Sequence, residues 1–193
     1  EEFSEVWFFY PSVADDTREI SRYAIYNYEE GSWSIGSLER HAWLESGVFD
    51  KPLASGDVST NEFIFEHEKG FNDDDSAMDN VFVESADIDI GDGDNFVFLR
   101  KVLPDILFVN QTGTSQDPAV NLVVKRRDFN NQTLSTDSTS QIKNSTTFSS
   151  ARTRARQFVL RFESDDDNTE SDRKNYKWRL GDTRVDIIPS GRK

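Results

Sequence analysis

Short runs in which apolar and polar residues alternate recur along the chain, and they predict β-strands rather than helices. The clearest case is the segment RYAIYNYEEGSWSIGSLE at residues 22–39, where two such runs flank Glu29-Glu30-Gly31. Gly31 can adopt the positive φ that a tight turn requires, so this segment predicts a β-hairpin. The other predicted strands lie within residues 5–10, 41–46, 61–68, 80–90, 95–103, 120–129, 156–164 and 176–188.

Two of these segments also predict which side chains face the interior. In QFVLRFE (157–163) and YKWRL (176–180), large apolar residues occupy every second position. Successive side chains of a strand point to opposite faces, so one face of each strand is expected to be buried, as in a β-sandwich. The residues assigned to the buried faces are Phe158, Leu160, Phe162, Tyr176, Trp178 and Leu180. The residues assigned to the opposite faces are Val159, Arg161, Glu163, Lys177 and Arg179.

Polar segments separate the predicted strands. Residues 110–118, 130–147 and 163–175 are rich in Ser, Thr, Asn, Gln or charged residues, and we expect them to be loops. The balance of charge changes near residue 76, which is therefore the predicted boundary between residues 1–75 and residues 76–193. The fold class predicted from these patterns is all-β.

Charge narrows the classes of function. The formal net charge is −14, with 19 acidic and 5 basic residues at positions 1–80 and 17 of each kind at positions 81–193. Such a surface repels nucleic acid, which excludes a conventional DNA-binding protein but suits one that DNA passes without being held. The 15 Phe, 5 Tyr and 4 Trp supply enough apolar area to exclude a disordered chain. No apolar run is long enough to span a membrane.

Motifs for catalysis or cofactor binding are missing. The sequence contains no cysteine, no G-x-S-x-G, no Walker A motif and no G-x-G-x-x-G. Disulfides, thiol nucleophiles and Cys-based metal sites are thereby excluded. We expect no catalytic residue, no cofactor and no metal ligand.

Two acidic runs resemble metal sites at first inspection. EHEKGFNDDDSAMD (66–79) places His67 and Glu68 as in the HExxH zinc motif, but position 71 is Phe, and the second histidine of the chain is the distant His41. DIDIGDGDN (87–95) supplies closely spaced carboxylates but not in the EF-hand order. Solvated turns between strands explain both runs better, since Asp, Asn and Gly are preferred turn residues. The carboxylates that we single out are Asp73, Asp74, Asp75, Asp87, Asp89, Asp92 and Asp94.

The segment ARTRARQFVLRF (151–162) concentrates positive charge. Arg152, Arg154 and Arg156 alternate along a predicted strand, so their side chains are expected to lie on one face. A phosphate-binding stripe is one interpretation. Pairing with the acidic loop 163–172 or with a neighbouring subunit is the favoured one, because this half of the chain is neutral.

Several phrases in order resemble one protein family. They are EVWFFYPS, RYAIYNYEEGSWSIGSLERHAW, FEHEKGFNDDDS, VESADIDIGDGDNFVFLRKVLPDI, RARQFVLRFES and KWRLGDTRVDIIPSGRK. Together they resemble the C-terminal part of the tail hub or nozzle proteins of short-tailed bacteriophages, which are also called packaged-DNA stabilisation proteins. The resemblance spans nearly the whole chain, and the family's members are longer at the N-terminal side.

The resemblance implies a fold, partners and a location. Residues 1–75 would form a β-propeller-like segment that continues from a preceding part, with Tyr26, Tyr28 and Trp33 packing between blades. Residues 76–193 would form an antiparallel β-sandwich. The subunit would belong to a homo-oligomeric ring, a hexamer, in the virion tail. This ring would contact the portal and adaptor and the tail fibres or needle, and would conduct double-stranded DNA without binding its sequence.

On this hypothesis the acidic residues named above are candidates to face the DNA channel, and the three arginines are candidates for an interface between subunits. Two alternatives remain open at the level of sequence. One is a carbohydrate-active tail protein that uses Glu66 or Glu68, and the other is a calcium-stabilised sugar-binding β protein.

Overall fold

A computed structural model describes residues 3–16, 18–58, 61–73, 76–78, 80–90, 93–110, 118–164 and 175–191. The fold is all-β, with 57% strand arranged in several antiparallel sheets. The chain divides into two compact units, Glu1–Gly70 and Phe71–Lys193. Within the described ranges, no helix has the length and apolar character needed to cross a membrane, and none of the sheets closes on itself.

The first unit contains two three-stranded antiparallel sheets. The strands are β1 (Glu5–Tyr10), β2 (Arg22–Asn27), β3 (Ser32–Ser37), β4 (Ala42–Leu44), β5 (Leu53–Val58) and β6 (Asn61–Glu66). The strand orders are β1-β2-β3 and β4-β5-β6, so each sheet is a simple meander. The predicted hairpin at residues 22–39 is confirmed as β2 and β3, and Gly31 at its turn has a φ of +68°.

Aromatic side chains join the two sheets of this unit. The Trp43 ring of β4 lies 5.9 Å from the Trp7 ring and 5.3 Å from the Phe9 ring of β1, measured between ring centroids. On its other side, Trp43 lies 4.5 Å from the ring of His67. The buried Arg40 donates a hydrogen bond from Nε to Nε2 of His67 at 3.2 Å. His67 is therefore part of the packing of this unit.

The described residues of the second unit form nine strands. They are β7 (Phe82–Glu84), β8 (Val97–Leu103), β9 (Ile106–Asn110), β10 (Ala119–Arg127), β11 (Ser135–Lys143), β12 (Ser149–Ala155), β13 (Gln157–Ser164), β14 (Tyr176–Leu180) and β15 (Arg184–Pro189). The sheets have the orders β11-β10-β13-β7, β12-β8-β15 and β14-β9, and every pairing is antiparallel.

The core of the second unit lies between these sheets. Its buried residues are Val97, Leu99, Val102, Val120, Leu122, Val124, Ile142, Ala151, Phe158, Leu160 and Phe162. Trp178 and Leu180 pack against this core, and Tyr176 is buried, so the predicted inward faces are confirmed. Val159 was assigned to the opposite face but is also buried, so β13 is covered on both faces over this stretch.

One predicted loop contains a strand, and β5 and β9 lie in segments for which no strand was predicted. Residues 130–147 were expected to form a polar loop, but they include β11, which pairs with β10 along most of its length. Hydrogen bonds to the apolar β10 hold β11 in place, and Ile142 is its one buried apolar side chain among nine residues. Polar composition was misleading here because a strand at the edge of a sheet needs little apolar surface.

Candidate functional site

The first unit exposes an apolar face on the sheet β1-β2-β3. Residues directly opposite one another across a sheet share a face. Here Val6 pairs with Tyr26, which pairs with Trp33 on its other side, and Phe8 pairs with Ala24, which pairs with Ile35. The apolar face, as we call it, consists of Val6, Phe8, Tyr26, Trp33 and Ile35. Trp33 is 63% exposed and Ile35 is 79% exposed.

The rings on the apolar face form one continuous group. The Trp33 ring lies 6.0 Å from the Phe8 ring and 4.8 Å from the Tyr26 ring. The opposite face of the same sheet carries Trp7 and Phe9, which pack on Trp43. The sheet is therefore apolar on both faces, and a sheet of this kind is typical of a strand layer with a partner on each side.

Two of the acidic residues predicted to face a channel take part in one hydrogen-bonded network. Arg127 Nη2 contacts Asp87 Oδ2, and Arg127 Nε donates to Gln157 Oε1 at 2.7 Å. Gln157 Nε2 in turn donates to Asp89 Oδ2 at 3.1 Å. Between these aspartates, Ile88 exchanges backbone hydrogen bonds with Phe158. Asp87 and Asp89 thus fasten the segment after β7 to β10 and β13.

The other acidic candidates are distributed differently. Asp73 is exposed and exchanges two backbone hydrogen bonds with Ser76. Asp94 is exposed and lines a cleft of about 360 Å³ together with Phe129 and Arg156. Asp74, Asp75 and Asp92 lie outside the described residues. A role for any of these carboxylates in lining a channel stays a prediction.

Arg152 and Arg154 lie on the exposed face of β12, as the alternation predicted, whereas Arg156 follows the last residue of that strand. Arg154 stacks over the Phe96 ring at 4.1 Å and donates from Nε to Ser190 Oγ at 3.0 Å. Arg156 lies 5.2 Å from the Phe96 ring and 5.5 Å from the Phe129 ring. Two of the three arginines therefore contact their own chain through aromatic rings.

Sequence reasoning missed a further basic group beside Arg152. Arg100 and Lys101 of β8 line a cleft of about 310 Å³ with Arg152, Phe98 and Phe148. The sequence did contain a signal: two adjacent charged residues interrupt the apolar alternation of NFVFLRKVL. A strand with regular alternation would turn one of the two side chains into the core, so this pair indicates a β-bulge.

The described residues of the two acidic runs supply no set of metal ligands. Across the described residues, no group of three or more His, Asp or Glu side chains is placed to hold a metal ion. Two carboxyl groups have displaced pKa values. A hydrogen bond from Arg22 lowers the pKa of Asp15 to about 2, and one from Lys125, reinforced by Arg161, lowers the pKa of Glu84. Both shifts oppose the raised pKa that a general acid requires.

The ion pair of Glu84 gives a pH-dependent prediction for the second unit. Its Oε2 accepts a hydrogen bond from Lys125 Nζ at 2.5 Å and lies 3.5 Å from Arg161 Nη1, which ties β7 to β13 and β10. Because the folded pKa is lowered, the stabilisation is present above the ordinary pKa of 4.5 and is lost as the pH falls through the lower folded value. At pH 7, Glu84→Gln should lower the free energy of unfolding by about 1 kcal/mol.

Urea denaturation of wild type and Glu84→Gln across a pH series checks this expectation. The difference between the two proteins should shrink toward zero as the medium becomes more acidic than the folded pKa of Glu84. A difference that stays constant over the whole series would mean that the substitution acts through packing and not through charge.

Comparison with known proteins gives no relative from which a site could be transferred. No protein-family model matches the chain. No curated protein matches it either.

Proposed function

We propose that the chain is a structural subunit of the tail nozzle, or hub, of a short-tailed bacteriophage. In this proposal, copies of the chain form a ring, a hexamer, that extends the DNA channel below the portal and adaptor. The ring retains the packaged genome and conducts it at ejection. The ordered phrases that resemble this family support the proposal, as does a fold built of short antiparallel sheets in two units.

The apolar face of β1-β2-β3 is the observation that carries the proposal. Trp33 and Ile35 are mostly exposed in a chain that is otherwise strongly charged. Contiguous apolar surface of this kind marks protein interaction sites. Aromatic residues such as Trp33 and Phe8 are also the residues enriched in the centres of protein interfaces. We assign the face to contact with a second copy of the chain.

The proposed architecture places the first unit in a propeller-like layer and the second unit in a β-sandwich. The first unit carries the excess negative charge, since positions 1–80 hold 19 acidic and 5 basic residues. An acidic channel wall repels the phosphate backbone, so double-stranded DNA slides along it without binding. The function is mechanical and electrostatic, and it requires no catalytic group.

Two isoleucines of nearly equal exposure provide the test. Ile35 on the apolar face is 79% exposed, and Ile64 of β6 is 78% exposed. Ile35→Thr removes apolar area from the proposed interface and should weaken self-association about tenfold, while Ile64→Thr should leave it unchanged. Sedimentation equilibrium of the three proteins over a concentration series measures the association constants.

Equal association constants for Ile35→Thr and Ile64→Thr would contradict the assignment of the apolar face to self-association. A wild-type chain that sediments as a monomer throughout the soluble concentration range would contradict self-assembly. Thr is well accommodated in exposed strand positions, so loss of folding does not complicate this comparison.

A further inference from the structure

The strands β8 and β12 carry irregularities at the same level of their sheet. In β8, the buried residues are Val97, Leu99 and Val102, so the inward positions skip from 99 to 102. The pairing of β8 with β12 and with β15 shifts register at this level. The two residues in the gap, Arg100 and Lys101, both lie outside the core. A bulge in β8 therefore turns two cations outward together.

Arg152 supplies the matching irregularity in β12. Its neighbours Ala151 and Thr153 are buried, and Arg152 itself is exposed with a φ of +53°. A residue with a side chain is strained in this left-handed region, because its Cβ approaches the following carbonyl oxygen. Strained backbone conformations cluster at functional sites. Bulges are also common there, because they redirect a side chain.

The two irregularities create a cationic cleft, which we define by Phe98, Arg100, Lys101, Phe148 and Arg152. Lys101 Nζ lies 5.5 Å from the Phe148 ring, so this cation is held against an aromatic wall. Its neighbour Arg100 is 54% exposed at the side chain and lies 3.6 Å from Asp186 Oδ2. Three cations and two aromatic rings thus face one nearby carboxylate, which leaves the cleft suited to an acidic partner with an aromatic group.

The first unit contains a segment with this chemistry. The turn between β2 and β3 consists of Tyr28, Glu29, Glu30 and Gly31, and all four residues are exposed. Asn27 holds the turn, because its Oδ1 accepts hydrogen bonds from the backbone N–H of Glu29 at 3.1 Å and of Glu30 at 2.9 Å. The tip therefore presents the Glu30 carboxylate beside an exposed tyrosine on a fixed backbone, and the Glu29 carboxylate next to it accepts a hydrogen bond from Ser4 Oγ at 3.1 Å. Little conformational entropy is lost when such a tip binds.

We propose that the cationic cleft of one copy binds the Tyr28–Gly31 tip of the next copy. The contact joins two different surfaces, so it is heterologous, and repeated contacts of this type form a ring when the rotation between successive copies closes. The inference rests on the proposed function, and it names the polar contact between neighbouring subunits. It also accounts for a basic cleft in a protein whose net charge of −14 repels nucleic acid.

Charge reversal at each side of the contact tests the proposal in the full chain. Arg152→Glu and Glu30→Arg should each weaken self-association about tenfold in sedimentation equilibrium at low salt. Arg179→Glu is the matched control for the first variant, because Arg179 is exposed on β14 and the change in charge is the same. The double variant Arg152→Glu with Glu30→Arg should recover most of the wild-type association, since it restores opposite charges across the contact.

Four results would overturn the proposal. The first is an Arg179→Glu variant that associates as weakly as Arg152→Glu. The second is a double variant that associates no better than the single variants. The third is binding of a labelled DNA duplex that Arg152→Glu abolishes while assembly is unchanged, which would make the cleft a phosphate site. The fourth is loss of self-association in Ile35→Thr but not in Arg152→Glu, which would support the ring and contradict this contact.

Discussion

Replacing Phe158 with alanine is expected to lower the free energy of unfolding of the second unit by about 3–5 kcal/mol. Phe158 lies in β13 and is 1% exposed, and it is the largest of the fully buried side chains. It belongs to the core cluster that the strands of this unit enclose. Alanine would leave a cavity that neighbouring strands, fixed by their ladders, fill only in part.

The backbone of Phe158 adds a second reason for a large effect. Its N–H and C=O exchange hydrogen bonds with Ile88, which lies between the two aspartates bound by Arg127 and Gln157. A shift of β13 into the cavity would strain these bonds, so relaxation around alanine is limited. We therefore expect the segment after β7 to lose protection from hydrogen exchange before the rest of the unit.

Phe129→Ala is the control, because Phe129 lies in the same unit and is 59% exposed. Its effect should stay within about 0.5 kcal/mol, as for most surface substitutions. Hydrogen exchange measured by mass spectrometry on peptides from β10 and β13 reports the stability of this unit separately from the first. Similar losses for both phenylalanines would show that the described core does not stabilise the unit.

The sequence predicted most of the strands that have an apolar face, although it missed β9, whose Ile106 and Phe108 pack against the core. β13 and β14 were predicted with correct inward residues, because alternation records which side chains are buried. β11 and β5 were not predicted either. β11 has a mostly polar composition and depends on β10 for its hydrogen bonds, while β5 contains Gly56 and lies between two other strands. Such strands are specified by their neighbours, and that information is not local.

The candidate site was predictable to a smaller extent. Adjacent Arg100 and Lys101 signalled an irregular strand, but only the three-dimensional pairing brings Arg152 beside them. The aspartates at 87 and 89 looked like a free acidic run, yet their partners Arg127 and Gln157 lie 40 and 68 residues away. Sequence identifies charged side chains, whereas pairing between distant strands decides which charges remain available.

Gly56→Ala is expected to lower the free energy of unfolding of the first unit by about 1–3 kcal/mol, because it forces atoms into occupied space. Gly56 is buried in β5, and a Cβ there would lie 2.6 Å from the backbone oxygen of Glu39 and 3.1 Å from Cδ of Arg40. The backbone oxygen cannot swing away as the end of a side chain could. The segment that carries Arg40 would have to move instead.

Movement of Arg40 would break its contacts with Phe65, Glu39 and His67 in the first unit. Its guanidinium lies 3.9 Å from the centroid of the Phe65 ring and donates hydrogen bonds to the Glu39 oxygen at 2.7 Å and to His67 Nε2 at 3.2 Å. A buried cation that loses these contacts keeps its desolvation cost without compensation. Since His67 packs on Trp43, the displacement should also change tryptophan fluorescence.

Gly47→Ala makes the same chemical change in the same unit at a position where a Cβ meets no atom within 4 Å. It should be neutral or stabilise by a few tenths to about 1 kcal/mol, because alanine restricts the unfolded chain. Urea denaturation followed by tryptophan emission compares the two variants. Equal stabilities would mean that the chain around Glu39 and Arg40 yields freely, and that the contacts of Arg40 contribute little to holding the two sheets together. A loss of stability confined to Gly56→Ala would instead show that the close approach of the Glu39 backbone to β5 holds Arg40 against Phe65 and His67.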